Sequence, residues 1–261
     1  MSPLTAAAVA EAYRVFSGRR VGPTLNVCRC NVCFGDDMAT EARLVRTPLH
    51  DLDVRDLAEY ASSAHGWDDE MLYFLPRCLD LIAQGEIPCW IGLEFCLSRL
   101  ADVEWRTVWP AVHRAALDGF FAALFTEALH RPDLLTEYDP GRQGNPIYGA
   151  SGTRDLFCLV ANAGGVVAPL LDVFDAQRGR VPDLHLAALV NDTGGALWDG
   201  RLRWHTLNNK DAEAAIAAWL LRPETGFRLE EAFSNADDPV EAATLSAAAQ
   251  AVLGNWGPDR S

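Results

Sequence analysis

Long apolar runs are missing from this chain. No stretch of its 261 residues approaches the roughly 18 needed to cross a bilayer, so no membrane-spanning helix is expected. The first residues lack a basic segment and reach Glu11 early, which does not match a secretory signal and predicts a cytoplasmic location. Positive charge is also short. The 22 basic residues face 36 acidic ones, a net charge of −14, so phosphate backbones are repelled unless a local basic patch intervenes. Of those 22, only Lys210 is a lysine. With abundant alanine, that skew matches GC-rich bacterial coding, and the arginines alone do not argue for arginine-based recognition. Glycine-rich phosphate signatures (G-x-G-x-x-G, G-x4-G-K-[ST]) are absent, as are H-E-x-x-H and G-x-S-x-G. Gly149-Ala-Ser151-Gly152 superficially resembles a nucleophile turn, but no strand precedes it and it reads as loop. Strand signals are scarce; only Gly200–Leu207 alternates.

What is present is helical periodicity. Val9, Tyr13 and Phe16 share a face of a first helix, with Thr5 as a cap and Gly18 past its end. Val21–Pro48 has no clear period and reads as loop. Helices are expected after Asp51 or Asp53, from Asp68/Asp69 to Gly85 with Pro76 near its start or at a kink, over Trp90–Leu100, and over Trp105–Leu129 with a kink at Pro110. Residues 131–152 carry four glycines and three prolines and read as an exposed excursion. Further helices are predicted at 153–162, 166–176, 182–190, 209–221, 224–234 and 239–253, the last with Asp238 as cap and Pro239 at its first position. Leu159–Gly165 and Leu189–Gly195 resemble each other, each ending a helix at a glycine pair. The fold class is therefore all-α: stacked antiparallel helix pairs, HEAT-like or irregularly superhelical, in one domain spanning 1–261.

The most chemically loaded feature is Cys28-Arg-Cys30-Asn-Val-Cys33. Three thiols in six residues fit a soft-metal site, and Cys30-x2-Cys33 has zinc-knuckle spacing. A structural zinc takes four ligands, and no second C-x2-C follows; His50 and His65 are the nearest histidines in sequence. Three readings stay open: a zinc site, reduced cysteines packing a loop, and redox chemistry. Seven cysteines, an odd number, argue against a disulfide framework. Cys78, Cys89, Cys96 and Cys158 read as small buried hydrophobes. His113 and His185 read as structural histidines, whereas His205, beside Asn208, Asn209 and Lys210, has the most polar setting. The eight tryptophans are spread as helix-junction plugs. Acidic residues crowd Asp51, Asp53, Asp56 and Glu59, then Asp68, Asp69 and Glu70; helix N-termini favour them, and an acidic face also steers a basic partner.

Cys28-Arg-Cys30-Asn-Val-Cys33, Thr47-Pro48-Leu49, Glu59-Tyr60-Ala61 and Phe74-Leu75-Pro76-Arg77 resemble the pattern of a group of uncharacterised bacterial proteins. Ala218–Pro223 and Leu229–Phe233 are similar too. The cysteine spacing differs from the tighter C-x-C-C of that group. The resemblance implies a single, mostly helical bacterial architecture and no particular chemistry.

The expected function is a non-enzymatic acidic binding protein, such as an immunity protein that occludes a basic toxin, with Asp68, Asp69 and Glu70 as partner-binding residues. The alternatives are a zinc-dependent enzyme built on Cys28, Cys30 and Cys33 with His205 or His65 nearby, and a scaffold. Neither nucleic acid nor membrane is expected as a partner.

Overall fold

The computed structural model describes residues 1–63, 69–138 and 146–254, with the backbone alone for Asp69. The fold is all-α. In chain order its helices are α1 (Pro3–Val15), α2 (Met38–Arg46), α3 (Val54–Ser62), α4 (Asp69–Ala83), α5 (Trp105–Val108), α6 (Ala111–Ala128), α7 (Ser151–Asn162), α8 (Ala168–Ala176), α9 (Arg180–Thr193), α10 (Lys210–Leu220), α11 (Pro223–Ser234) and α12 (Pro239–Leu253).

Their ends follow local chemistry. Ser2 Oγ accepts from the Thr5 amide at 3.2 Å, so Ser2 and not Thr5 caps α1, with Pro3 in the first turn. Asp37, Asp53, Asn209 and Asp238 cap α2, α3, α10 and α12 in the same way. The expected kink at Pro110 is a break: Trp109 is extended (ψ 152), as a residue before proline prefers, and it separates α5 from α6. Pro76 lies inside α4. Both resembling segments do end helices at glycine, with Gly164 at φ +74 and Gly194 at φ +53.

Two helical expectations change. α2 lies within the stretch read as loop, because its buried positions are Thr40, Glu41 and Leu44, and two polar residues hide the apolar period. Trp90–Leu100 does not form one helix. Gly92 stands at φ +116, and only tight 3-10 turns follow at Leu93–Phe95 and Ser98–Val103. The strands are elsewhere than the sequence alternation suggested: Thr136–Tyr138 pairs antiparallel with Ile147–Gly149, inside the Pro/Gly-rich stretch. That stretch is anchored at its far end, where the Tyr148 amide donates to Thr244 Oγ1 (2.9 Å) and the Ala150 amide to Asp192 (3.3 Å).

The chain forms two compact units, residues 1–124 with 162–165, and residues 125–161 with 166–261. In the first, Leu25, Phe34, Leu44, Leu52, Leu57, Tyr60, Met71 and Phe74 share a core, and Trp105, fully buried, donates its indole N–H to Ala163 O at 2.7 Å. In the second, α9 packs against α11 and α12, which form an antiparallel pair. Phe125 meets Phe157 at 4.7 Å and Phe174 at 6.0 Å, in the tilted and edge geometries that aromatic quadrupoles favour. Among the described residues no helix is long and apolar enough to cross a membrane.

Candidate metal centre

The cysteine loop is held from both sides by the core of the first unit. Leu25 precedes it and Phe34 follows it, and both side chains are buried in that core. The Leu25 amide donates to Glu41 Oε1 at 2.7 Å, and the Asn26 amide donates to Glu70. Arg29 closes over this ring, pairing with Glu41 at 2.5 Å and lying over the Phe34 ring. Within the loop, the Cys33 amide donates to Cys30 O and the Phe34 amide to Cys28 O, each at 3.2 Å. Gly35, at φ +60, lets the turn close.

These bonds gather three sulfurs. The Sγ atoms of Cys28, Cys30 and Cys33 lie within 4.8 Å of one another, with Cys30 exposed and the other two half-buried. Zinc–sulfur bonds near 2.3 Å put tetrahedral sulfur pairs about 3.8 Å apart, a separation inside that limit, so the donor set fits a zinc ion. The electrostatics favour a thiolate at the exposed position. The Val32 amide, the Cys28 thiol and the Cys33 amide and thiol all donate toward Cys30, bringing its thiol down to about 7. At Cys28 the Cys30 amide favours the anion, but the neighbouring Cys30 and Cys33 sulfurs outweigh it and its thiol is raised. The loop does not open a helix. Residues 31–36 are turn and α2 begins only at Met38, so the dipole that activates Cys-x2-Cys redox centres is not at hand.

The expected accessory histidines do not complete the set. His50 stacks on Tyr13 with ring centres 4.1 Å apart and is not among the clustered ligands. His65 lies outside the described residues, and His205 belongs to the second unit.

The expected partner-binding acids fare differently from one another. Asp68 lies outside the described residues, and Asp69 opens α4. Glu70 is not a surface charge: it is buried and accepts from the Asn26 amide and from Tyr60 Oη at 3.1 Å. Asp56 is also buried, paired with Arg43 at 2.8 Å. These carboxylates order the fold around the loop, a role that their acidic spacing alone did not reveal.

Of the four isolated cysteines all are buried, as expected. Cys89 nonetheless makes polar contacts. Its sulfur accepts from the Cys96 thiol and the Ile91 amide, and lies 3.7 Å from Ser62 Oγ, which together bring its thiol to about 6; Cys96 is raised by the same contact and by burial. Nothing in a seven-residue separation signals that encounter. His113, stacked on Phe16, and His185, bonded through both ring nitrogens, are structural as read.

Compared with protein-family models, curated proteins and solved structures, the chain matches none.

Proposed function

We propose that this is a zinc-dependent protein whose Cys28, Cys30 and Cys33 thiolates hold one zinc ion and leave its fourth position to an external ligand. The gathering of three sulfurs on a loop anchored by Leu25 and Phe34 carries the reading. Among the described residues no fourth cysteine, histidine or carboxylate joins the three. Three protein ligands with an open position are the arrangement of catalytic zinc, which supplies a Lewis acid for a bound water or substrate.

Metal analysis of the full chain purified without chelator tests this. One zinc per chain is expected, lost in Cys30→Ser. Cobalt substitution should give sulfur-to-metal charge-transfer absorption and spectra that change with added imidazole or azide if the fourth position is open. Absence of stoichiometric metal, or a site unmoved by Cys30→Ser, overturns the proposal.

A second reading is binding of a basic protein partner, of which an immunity protein covering a toxin is one form. It is supported by the net charge of −14 and by a groove of about 880 Å³ between α9, α11 and α12 in the second unit. Glu224, Glu231 and Asp237 border this groove without ion-pair partners among the described residues, beside the exposed Phe227. Of the arginines there, Arg180 and Arg228 are paired with Glu241 and Asp183, which leaves the exposed Arg178 against these three acids. Association with a basic partner through it should slow steeply as salt rises and in Glu231→Lys/Asp237→Lys; salt-independent rates count against it.

A further inference from the structure

In the first unit, several hydrogen-bond donors converge on the sulfur of Cys89. Ser62 Oγ stands 3.7 Å away, and because that oxygen already accepts from the Trp90 amide at 3.0 Å, its own proton is left for the sulfur. The Ile91 amide and the Cys96 thiol donate to the same atom. A neutral thiol is a weak acceptor, whereas a thiolate is stabilised by each donor that reaches it.

The chain arranges this meeting within a short loop. α4 ends at Ala83, and residues 86–92 follow without helix or strand. Gly92, at φ +116, turns the backbone through a region that L side chains avoid, and the tight turn at Leu93–Phe95 then carries Cys96 to Cys89. Cys96 Sγ also lies 3.4 Å from Gly92 O, which fixes it beside the turn.

Cys78 supplies the contrast. Burial pushes its thiol up to about 12, whereas the Cys96 thiol, the Ile91 amide and Ser62 bring Cys89 down to about 6 despite its own burial. A thiolate in contact with a second thiol is the arrangement of a dithiol that closes on oxidation: the anion attacks the oxidant and its neighbour resolves the product. Access selects the oxidant. Cys89 and Cys96 are 5% and 7% exposed, too little for a protein disulfide to dock on either sulfur. Hydrogen peroxide is little larger than water and neutral, and a loop held by few hydrogen bonds opens at lower cost than a packed core.

We infer that Cys89 and Cys96 form a peroxide-sensitive dithiol, with Cys89 as the attacking sulfur and Cys96 as the resolving one. The Cys89 thiolate attacks one oxygen of hydrogen peroxide, the O–O bond breaks, and the departing hydroxide is protonated to water. Cys89 is then a sulfenic acid. The Cys96 sulfur attacks it, the S–O bond breaks as the S–S bond forms, and the Cys96 proton leaves with the oxygen as a second water. Two electrons pass from the sulfurs to the peroxide. The pair is separate from Cys28, Cys30 and Cys33, so it does not depend on the zinc reading.

The test is mass spectrometry of the folded full chain after treatment with hydrogen peroxide at neutral pH and blocking of the remaining thiols. Peroxide is raised until the exposed Cys30 is oxidised. Cleavage after Arg77, Glu86, Glu94 and Arg99 puts Cys78, Cys89 and Cys96 on separate peptides. Peptides 87–94 and 95–99 should be recovered joined, two hydrogens lighter than their sum, and should separate on reduction. Cys96→Ser should leave a dimedone-reactive sulfenic acid on Cys89, while Cys89→Ser should leave Cys96 reduced. Cys78 should stay reduced throughout. The inference is overturned if Cys89 and Cys96 in the wild-type chain stay reduced, or if either pairs with another cysteine instead. Oxidation of Cys78 at the same rate also overturns it, because the reaction then belongs to the unfolded chain. Sulfenic acid on Cys96 in Cys89→Ser would overturn the assignment of attacking and resolving sulfurs.

Discussion

His185 is wholly buried in the second unit, with Nδ1 2.8 Å from Thr153 Oγ1 and Nε2 3.0 Å from Arg131 O. Burial lowers its pKa from the ordinary 6.5 to about 4, although the Arg131 carbonyl and Asp133 pull the other way. The unfolded imidazole takes its proton near 6.5 and the folded one only near 4. Stability from this group is therefore complete above 6.5 and falls as pH drops toward 4, by up to about 1.4 kcal/mol per pH unit. Chemical denaturation from pH 7 to 4.5 should show His185→Gln less stable at neutral pH but with a pH dependence shallower by up to one proton; parallel curves would mean that the folded imidazole takes its proton at the same pH as the unfolded one. The buried histidine was legible from its helical setting, and the thiol cluster from its spacing. Glu41, Asp56 and Glu70 were not, because a carboxylate in sequence reads as surface and only a solved core shows which ones accept buried amide, phenol and guanidinium protons.

α11 and α12 approach each other at Gly226, where an added Cβ would stand 2.5 Å from Leu253 Cδ2 and 2.6 Å from its Cγ. Alanine is the better helix former by about 1 kcal/mol, but the Leu253 branch point cannot swing aside as freely as a chain end. Overpacking should win, with Gly226→Ala costing about 1–3 kcal/mol in urea denaturation. Gly119 in α6 is the counterpart: nothing lies within 4 Å of its missing Cβ and the position is exposed, so Gly119→Ala should stabilise by up to about 1 kcal/mol. The same sign for both would show that packing at Gly226 is looser than the contact distances imply. Legibility at this scale tracked punctuation. α11 and α12 start at Pro223 and Pro239, and their expected spans, 224–234 and 239–253, nearly coincide with the observed ones. Trp90–Leu100 failed because Gly92 adopts a conformation that an apolar period does not register, and the short strands failed because three-residue pairing is too brief to alternate visibly.

Across the whole molecule the surplus of acid is managed by pairing. Arg43–Asp56, Arg77–Asp80, Arg106–Asp118, Arg222–Asp175 and Arg228–Asp183 tie carboxylates to arginines at 2.6–2.8 Å, so much of the net −14 rests on unpaired surface acids such as Glu224 and Glu231. Against that background the thiolate loop stands in the first unit, and metal should act there alone. The cysteine loop is joined to α2 through Glu41 and to α4 through Glu70. Zinc bound to the folded loop alone would stabilise its unit by about 2.7 kcal/mol at one hundred times the dissociation constant. Hydrogen exchange should then slow for amides of residues 25–46 when zinc is added, while α9, α11 and α12 exchange as before. Because protons compete for the sulfurs and the Cys28 thiol is raised, the effect should weaken as pH falls through the neutral range, and further below about 7, where Cys30 too takes its proton. Cys28→Ser/Cys30→Ser/Cys33→Ser should abolish the response without changing exchange in the second unit. Slowing spread evenly over both units, or persisting in the triple variant, would place the metal on other ligands and detach the loop from any zinc-dependent role.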